Sequence, residues 1–157
     1  MGNACNVVYA VQFVKDHVDD AKEVAAALAV PTECVLGLSA AESGWGRDWN
    51  VTKVADNGQP AKNFFSLQGS DKSPLANGSV LSGKGTRLSA FPSYKASAQS
   101  FAKQYGALVK GKKTPEEFVR ALVPRFNTGN AKTGGNPNFV SDTVNVIKTT
   151  RTRMDCK

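Results

Sequence analysis

The sequence predicts an α+β fold, mainly α, with a small β-containing lobe set among helices. Three observations carry this expectation. Apolar residues recur at helical spacing up to about residue 45 and again from about residue 97. Between about 47 and 91 that period gives way to Gly, Asn, Asp, Ser and Lys with turn signals among them. A hydrophobic content of 41% over 157 residues is enough for one proper core, so residues 1–157 are read as a single domain.

The first helical pattern runs from about Val7 to Leu28, with Phe13, Val14, His17, Val18, Ala21, Val24 and Leu28 on one stripe. Pro31 then signals a second helix from about Thr32, whose Val35, Leu38 and Ala41 predict a buried stripe and whose end is marked by Gly44. In the aperiodic stretch, Asn57-Gly58, Asn77-Gly78 and Gly83-Lys84-Gly85 are turns, and Val80-Leu81 is expected to pair with Arg87 to Phe91 as a hairpin. Gly83-Lys84-Gly85 lacks the spacing and context of a phosphate loop. A third helix is predicted over Ser97 to Val109. Thr114-Pro115-Glu116-Glu117 reads as a capping box opening a helix to about Val123. Asn127 to Asn136 is a glycine-rich loop, and Asn136-Pro137 starts a last helix with Phe139, Val140, Thr143, Val144 and Ile147 on its buried face.

Charge and cysteine usage narrow the function classes. Net charge is +7 and unevenly placed: residues 1–83 hold six basic and nine acidic side chains, residues 84–157 fourteen and four. The basic half implies a polyanionic partner. Its cations are scattered without a nucleic-acid motif, so nucleic acid is not the expected partner. Cys5, Cys34 and Cys156 show no metal-ligand spacing, and with His17 as the single histidine no metal site or other cofactor is expected. Cys34 reads as a small core residue. Cys5 and Cys156 lie near the two chain ends, which are often neighbours, so a disulfide between them is open in an oxidising compartment. No stretch suits membrane insertion, and no secretory signal peptide is legible at the N-terminus.

The chemistry concentrates in Ala40-Ala41-Glu42-Ser43-Gly44-Trp45-Gly46. Glu42 falls in the last turn of an apolar helix, where unpaired carbonyls gather negative charge and apolar packing disfavours ionisation. Both raise its pKa towards the range of a general acid. Trp45 offers a flat apolar face suited to a sugar ring. The same residues also fit a solvated Glu42, a capping Gly44 and a core Trp45.

The chain resembles a known family on these and other residues. Ala41-Glu42-Ser43-Gly44-Trp45-Gly46 is similar to the signature of glycoside hydrolase family 73, the bacterial peptidoglycan glucosaminidases found in the flagellar rod hydrolase and many autolysins. Phe13 to Leu28 with Ala29-Val30-Pro31 resembles that family's first helix and turn. Asn63-Phe64-Phe65-Ser66-Leu67-Gln68-Gly69 resembles a later segment, with Ser66 in place of glycine and Gln68 in place of lysine. Phe91-Pro92-Ser93-Tyr94 followed by Ser100 resembles its Phe-x-x-Tyr element. The likeness covers roughly Phe13 to Tyr105. It implies a lysozyme-like fold with a cleft above Glu42, Glu42 as catalytic acid, and Trp45, Phe65, Gln68, Tyr94 and Phe139 as substrate-contacting residues. Phe139 stands where family members often carry a tyrosine.

Glycoside hydrolysis normally needs a second carboxylate. Asp48, Asp56 and Asp71 are the candidates, none in the family's usual context, and Asp71 is nearest in position. The 2-acetamido group of N-acetylglucosamine offers a route without it. The expected activity is cleavage between N-acetylglucosamine and N-acetylmuramic acid. The alternatives are a muramidase or lytic transglycosylase, against which the Gly-Leu-Met-Gln segment is missing, and a non-catalytic glycan-binding module. Peptidoglycan lies outside the inner membrane while no export signal is read. The expected address is therefore the periplasm or cell wall, reached by a contact-dependent secretion system or in phage lysis, with a cognate periplasmic immunity protein as partner.

Overall fold

A computed structural model describes residues 3–68, 73–124, 126 and 137–157. The chain opens with a 3-10 turn, Ala4–Asn6, and then α1, Val8–Leu28. Ala29 takes a left-handed conformation and its N–H caps the carbonyls of Ala25 and Ala26, which turns the chain into α2, Thr32–Ser43. Every residue of α2 from Cys34 to Ala40 is buried. The expected one-sided stripe is thus a correction: over this stretch α2 is buried on all sides, because it runs through the core rather than along its surface.

Helices α1 and α6, Phe139–Met154, both pack on α2. Gly37 is what lets α6 come close, since a Cβ there would lie 2.7 Å from the Ile147 Cα. Helix α4, Tyr94–Val109, packs against α1, and α5, Pro115–Leu122, bridges α4 and α6. Helix α4 starts three residues earlier than the apolar period predicts. Ser93 is its N-cap, accepting from the Ala96 N–H at 3.0 Å. The capping box of α5 forms with one change: Thr114 Oγ1 accepts from Glu117 N at 3.2 Å, and Glu117 Oε2 accepts from Lys113 N instead of from its own cap residue. Phe65, Phe101 and Phe118 are fully buried where these helices meet the lobe.

The lobe holds a short helix α3, Trp49–Thr52, and the antiparallel pair β1, Gly78–Leu81, and β2, Arg87–Ala90, in register from Gly78 opposite Ala90 to Leu81 opposite Arg87. It has a small apolar cluster of its own in Ala55, Ala61, Val80, Leu88 and Ala90. Asp56 pins the hairpin by accepting from Ser79 N at 2.9 Å and Ser79 Oγ at 3.2 Å.

The chain ends meet. Cys5 and Cys156 form a disulfide with their Cα atoms 5.6 Å apart. Beside it Arg153 Nε donates to the Ala4 carbonyl at 3.1 Å. Cys34 is free and buried, and burial pushes its thiol up to about 12, so it is inert as a nucleophile. Among the described residues no helix is long and apolar enough to cross a membrane.

A disulfide spanning 151 residues restricts the unfolded chain by about 5 kcal/mol on the loop-entropy model. Replacing Cys5 and Cys156 together by Ser is expected to lower Tm by roughly 10 °C. Calorimetry with and without reductant checks this, because the reductant should shift the parent and leave the double variant unchanged.

Candidate active site

The site grows from the end of α2. Gly44, Trp45 and Gly46 have φ of 55°, 58° and 80°, three consecutive left-handed residues. Gly44 is required twice over, since a Cβ there would also lie 2.5 Å from Asp48 Oδ1. The turn is held from within: Trp45 N donates to Ala40 O at 2.9 Å, Ser43 Oγ donates to Ser39 O at 2.6 Å, and Gly46 N donates to Ser43 Oγ at 3.0 Å. Trp45, a non-glycine residue in this region, carries local strain.

Glu42 itself is fixed through its backbone. Its carbonyl, one of those that a helix end leaves unpaired, accepts from Ser66 Oγ at 3.0 Å and from Asn50 Nδ2 at 3.2 Å. Asn50 Nδ2 also donates to Asn63 O at 2.8 Å. The Asn63 side chain in turn donates to Leu67 O at 2.8 Å and Ser89 O at 2.9 Å and accepts from Leu67 N at 3.0 Å. One buried network therefore joins α2, α3 and the lobe. Ser66 has φ of 54°, in the left-handed region that glycine takes freely, and the strain is offset by its hydroxyl, which holds the Glu42 carbonyl.

The Glu42 carboxyl makes no hydrogen bond or ion pair among the described residues, and burial raises its pKa to about 8. Burial alone is the cause. The partial charge of the helix end, expected from sequence to contribute, is met at the Glu42 carbonyl by two donors.

Trp45 is half-buried, with the Arg153 guanidinium 4.7 Å from its ring centroid and Phe13 edge-on at 5.8 Å. A ring already packed on Arg153 fits a role in bracing the turn. Phe65 and Phe139 are core residues, stacked or tilted against Phe101 and Phe126. The Tyr94 hydroxyl is buried and hydrogen-bonded to Ser39 Oγ at 2.8 Å, and burial raises its pKa. Packing takes up most of the apolar area of these three rings, and the Tyr94 hydroxyl is engaged by Ser39. Gln68 is exposed and bridges to Leu88 on the lobe. Asp48 is exposed and sits against Gly44 as the N-cap residue of α3. Asp56 is held below the usual carboxylate range, first by the Ser79 N–H, in its hairpin role. Asp71 lies outside the described residues.

Behind the turn, Phe13 meets His17, Phe64 and Tyr94, and the His17 ring stacks on Tyr94 at 4.3 Å. Burial lowers the His17 pKa against the raising effect of Asp16 and Asp20. A cavity of about 540 Å³ opens beside this cluster, and Glu42 does not line it. Sequence reading missed Asn50, Ser66 as a donor, and Arg153; only the serine at a glycine position gave a signal.

No protein-family model and no curated protein sequence matches the chain. Solved structures do. A chain of a type VI secretion system effector–immunity complex from Pseudomonas protegens is 32% identical with a TM-score of 0.82, the match covering 99% of this chain and 100% of that one. A peptidoglycan hydrolase from Sphingomonas sp. A1 is 24% identical with a TM-score of 0.72, covering 92% of each. The glycoside hydrolase domain of Salmonella typhimurium FlgJ is 19% identical with a TM-score of 0.68, covering 90% of this chain and 88% of that one. The last two share the fold.

A carboxyl whose pKa rises from 4.5 to about 8 on folding opposes folding only when ionised. Its folded-state cost is absent below the unfolded value and grows as pH rises towards about 8. Glu42→Gln is therefore expected to match the parent in Tm at pH 4 and to exceed it by at least ~3 °C at pH 8. Equal melting curves at both pH values would show that the carboxyl is not held protonated.

Proposed function

The chain belongs to glycoside hydrolase family 73, the bacterial peptidoglycan glucosaminidases, and from that premise we propose that it cuts the β-1,4 bond between N-acetylglucosamine and N-acetylmuramic acid with Glu42 as general acid. The protein is a peptidoglycan hydrolase. The observation that carries the residue assignment is the Glu42 carboxyl, kept in its acid form near neutral pH by burial on a helix end whose backbone is hydrogen-bonded to the lobe. Such a group can protonate the departing glycosidic oxygen as the bond breaks. Asp71 is the second carboxylate in this reading, stabilising the oxocarbenium charge or activating water, and the substrate acetamido group is its alternative.

The protein acts on peptidoglycan in the periplasm or cell wall, as an antibacterial effector restrained by an immunity protein. The effector–immunity complex that matches over the whole chain supports this, as does the disulfide between the chain ends, which an oxidising compartment maintains. The immunity protein is expected to be acidic where it meets the basic half of the chain, with a side chain inserted over Glu42.

Digestion of purified peptidoglycan followed by borohydride reduction and mass spectrometry is expected to show reduced N-acetylglucosamine at the new ends; reduced muramic acid would mean a muramidase, and anhydro-muramic acid a transglycosylase. Glu42→Gln should lower turnover by about two orders of magnitude or more. Asp71→Asn should lower it at least about tenfold if that carboxylate serves, and little if the acetamido group does. Wild-type activity in Glu42→Gln would end the assignment.

Expression in bacteria tests the address. With an added signal peptide the chain is expected to lyse its host, and without one to leave it intact, lysis being lost in Glu42→Gln. Equal toxicity in both forms would refute periplasmic action.

A further inference from the structure

Large apolar side chains are exposed at only a few places among the described residues, and Trp49, on the lobe, is one of them. Trp49 is 38% exposed and walls a cavity of about 520 Å³ together with Lys53, Ser82, Gly83, Lys84 and Thr86. The hollow combines a flat indole with two ammonium groups. Lys53 Nζ donates to the Leu81 carbonyl, which holds it at the rim with donors to spare. No ion pair among the described residues takes up Lys53 or Lys84, and no hydrogen bond among them uses the Trp49 indole N–H.

We propose that this hollow is an accessory binding site for an anionic wall glycan, with a sugar ring stacked on Trp49 and its carboxylates met by Lys53 and Lys84. The proposal rests on the peptidoglycan reading above. A pyranose presents C–H bonds on its face, which the electron-rich face of an indole attracts, while its hydroxyls suit the indole N–H. Lactyl and peptide carboxylates along the strand complement the two lysines. Trp49 is also the neighbour of Asn50, whose amide holds the Glu42 carbonyl. A strand seated on Trp49 is thereby registered to the helix end that carries the acid. Engagement at two points raises the effective concentration of the strand at the acid, which matters most on the insoluble wall.

The test measures binding alone, in the Glu42→Gln background, by co-sedimentation with purified sacculi. Trp49→Ala and the double variant Lys53→Ala with Lys84→Ala are each expected to weaken binding about tenfold, the lysine contribution disappearing at high salt. Trp49→Phe, which keeps an aromatic face, should retain most of it, and near-parent Tm values will show that the variants fold. Undiminished binding by Trp49→Ala would overturn the proposal, as would equal loss in Trp49→Phe and Trp49→Ala. If the lysine variant lost binding to an acidic immunity protein while sacculus binding stayed intact, the patch would be a protein contact and the proposal would fail. Muropeptide analysis of the active parent tests the hydrolase reading separately, so either can fall without the other.

Discussion

Capture of the Glu42 carbonyl by Asn50 and Ser66 is the constraint on which the site depends. A helix end must find donors for its last carbonyls, and those donors could as easily have met the carboxyl at the end of the same residue's side chain. Had they done so, they would have favoured the ionised form and pulled the pKa down. Spent on the backbone, they fix the position of Glu42 and leave its carboxyl to burial, which acts in the opposite direction and keeps the proton. Position and acidity are thus set by separate groups.

The turn that follows is strained by the same requirement. Three left-handed residues in succession reverse the chain so tightly that Asp48 N reaches the Ser43 carbonyl at 3.1 Å and α3 begins at once, bringing Asn50 back under Glu42. Glycine takes this conformation freely at 44 and 46, whereas Trp45 takes it at a cost on the order of 1–2 kcal/mol. Contact with Phe13 and the Arg153 guanidinium offsets that cost. Arg153 is itself held by the Ala4 carbonyl next to the Cys5–Cys156 bond. The chain ends, remote from the acid in sequence, therefore support the residue that allows the turn.

Much of this was legible in the sequence where a local rule decides. Proline before Thr32, glycine at 44, the capping box at Thr114 and the turn glycines of the hairpin each act over a few residues, and the elements they mark are found. Glu42 was legible because its neighbours in sequence are also its neighbours in space. Periodicity makes α2 look one-sided because it registers only the strongly apolar positions, whereas Gly37 and Ser39 are equally buried. Packing also accounts for three aromatic residues singled out in the sequence. Phe65, Tyr94 and Phe139 lie in segments of the family motif, but a motif preserves packing as readily as substrate contact, and their rings are in the core. Asn50, Asn63 and Arg153 act across the fold, so nothing in their local sequence announced them.

Electrostatics and geometry divide the remaining work. The ion pairs among the described residues, Lys95–Glu23, Lys148–Glu116 and Arg151–Asp155, are all exposed. Each is worth about 0–1 kcal/mol, so they do not explain why the chain is so basic. Pairing also removes one charge of each sign and leaves the net charge of +7 untouched. The surplus instead generates a field that draws in a polyanionic strand from a distance and weakens as salt rises. A field of that kind cannot choose a bond, because every repeat of the strand carries the same charges. That choice falls to the shape of the surface that, in the function proposed above, seats one linkage over Glu42, whose backbone hydrogen bonds leave it one position.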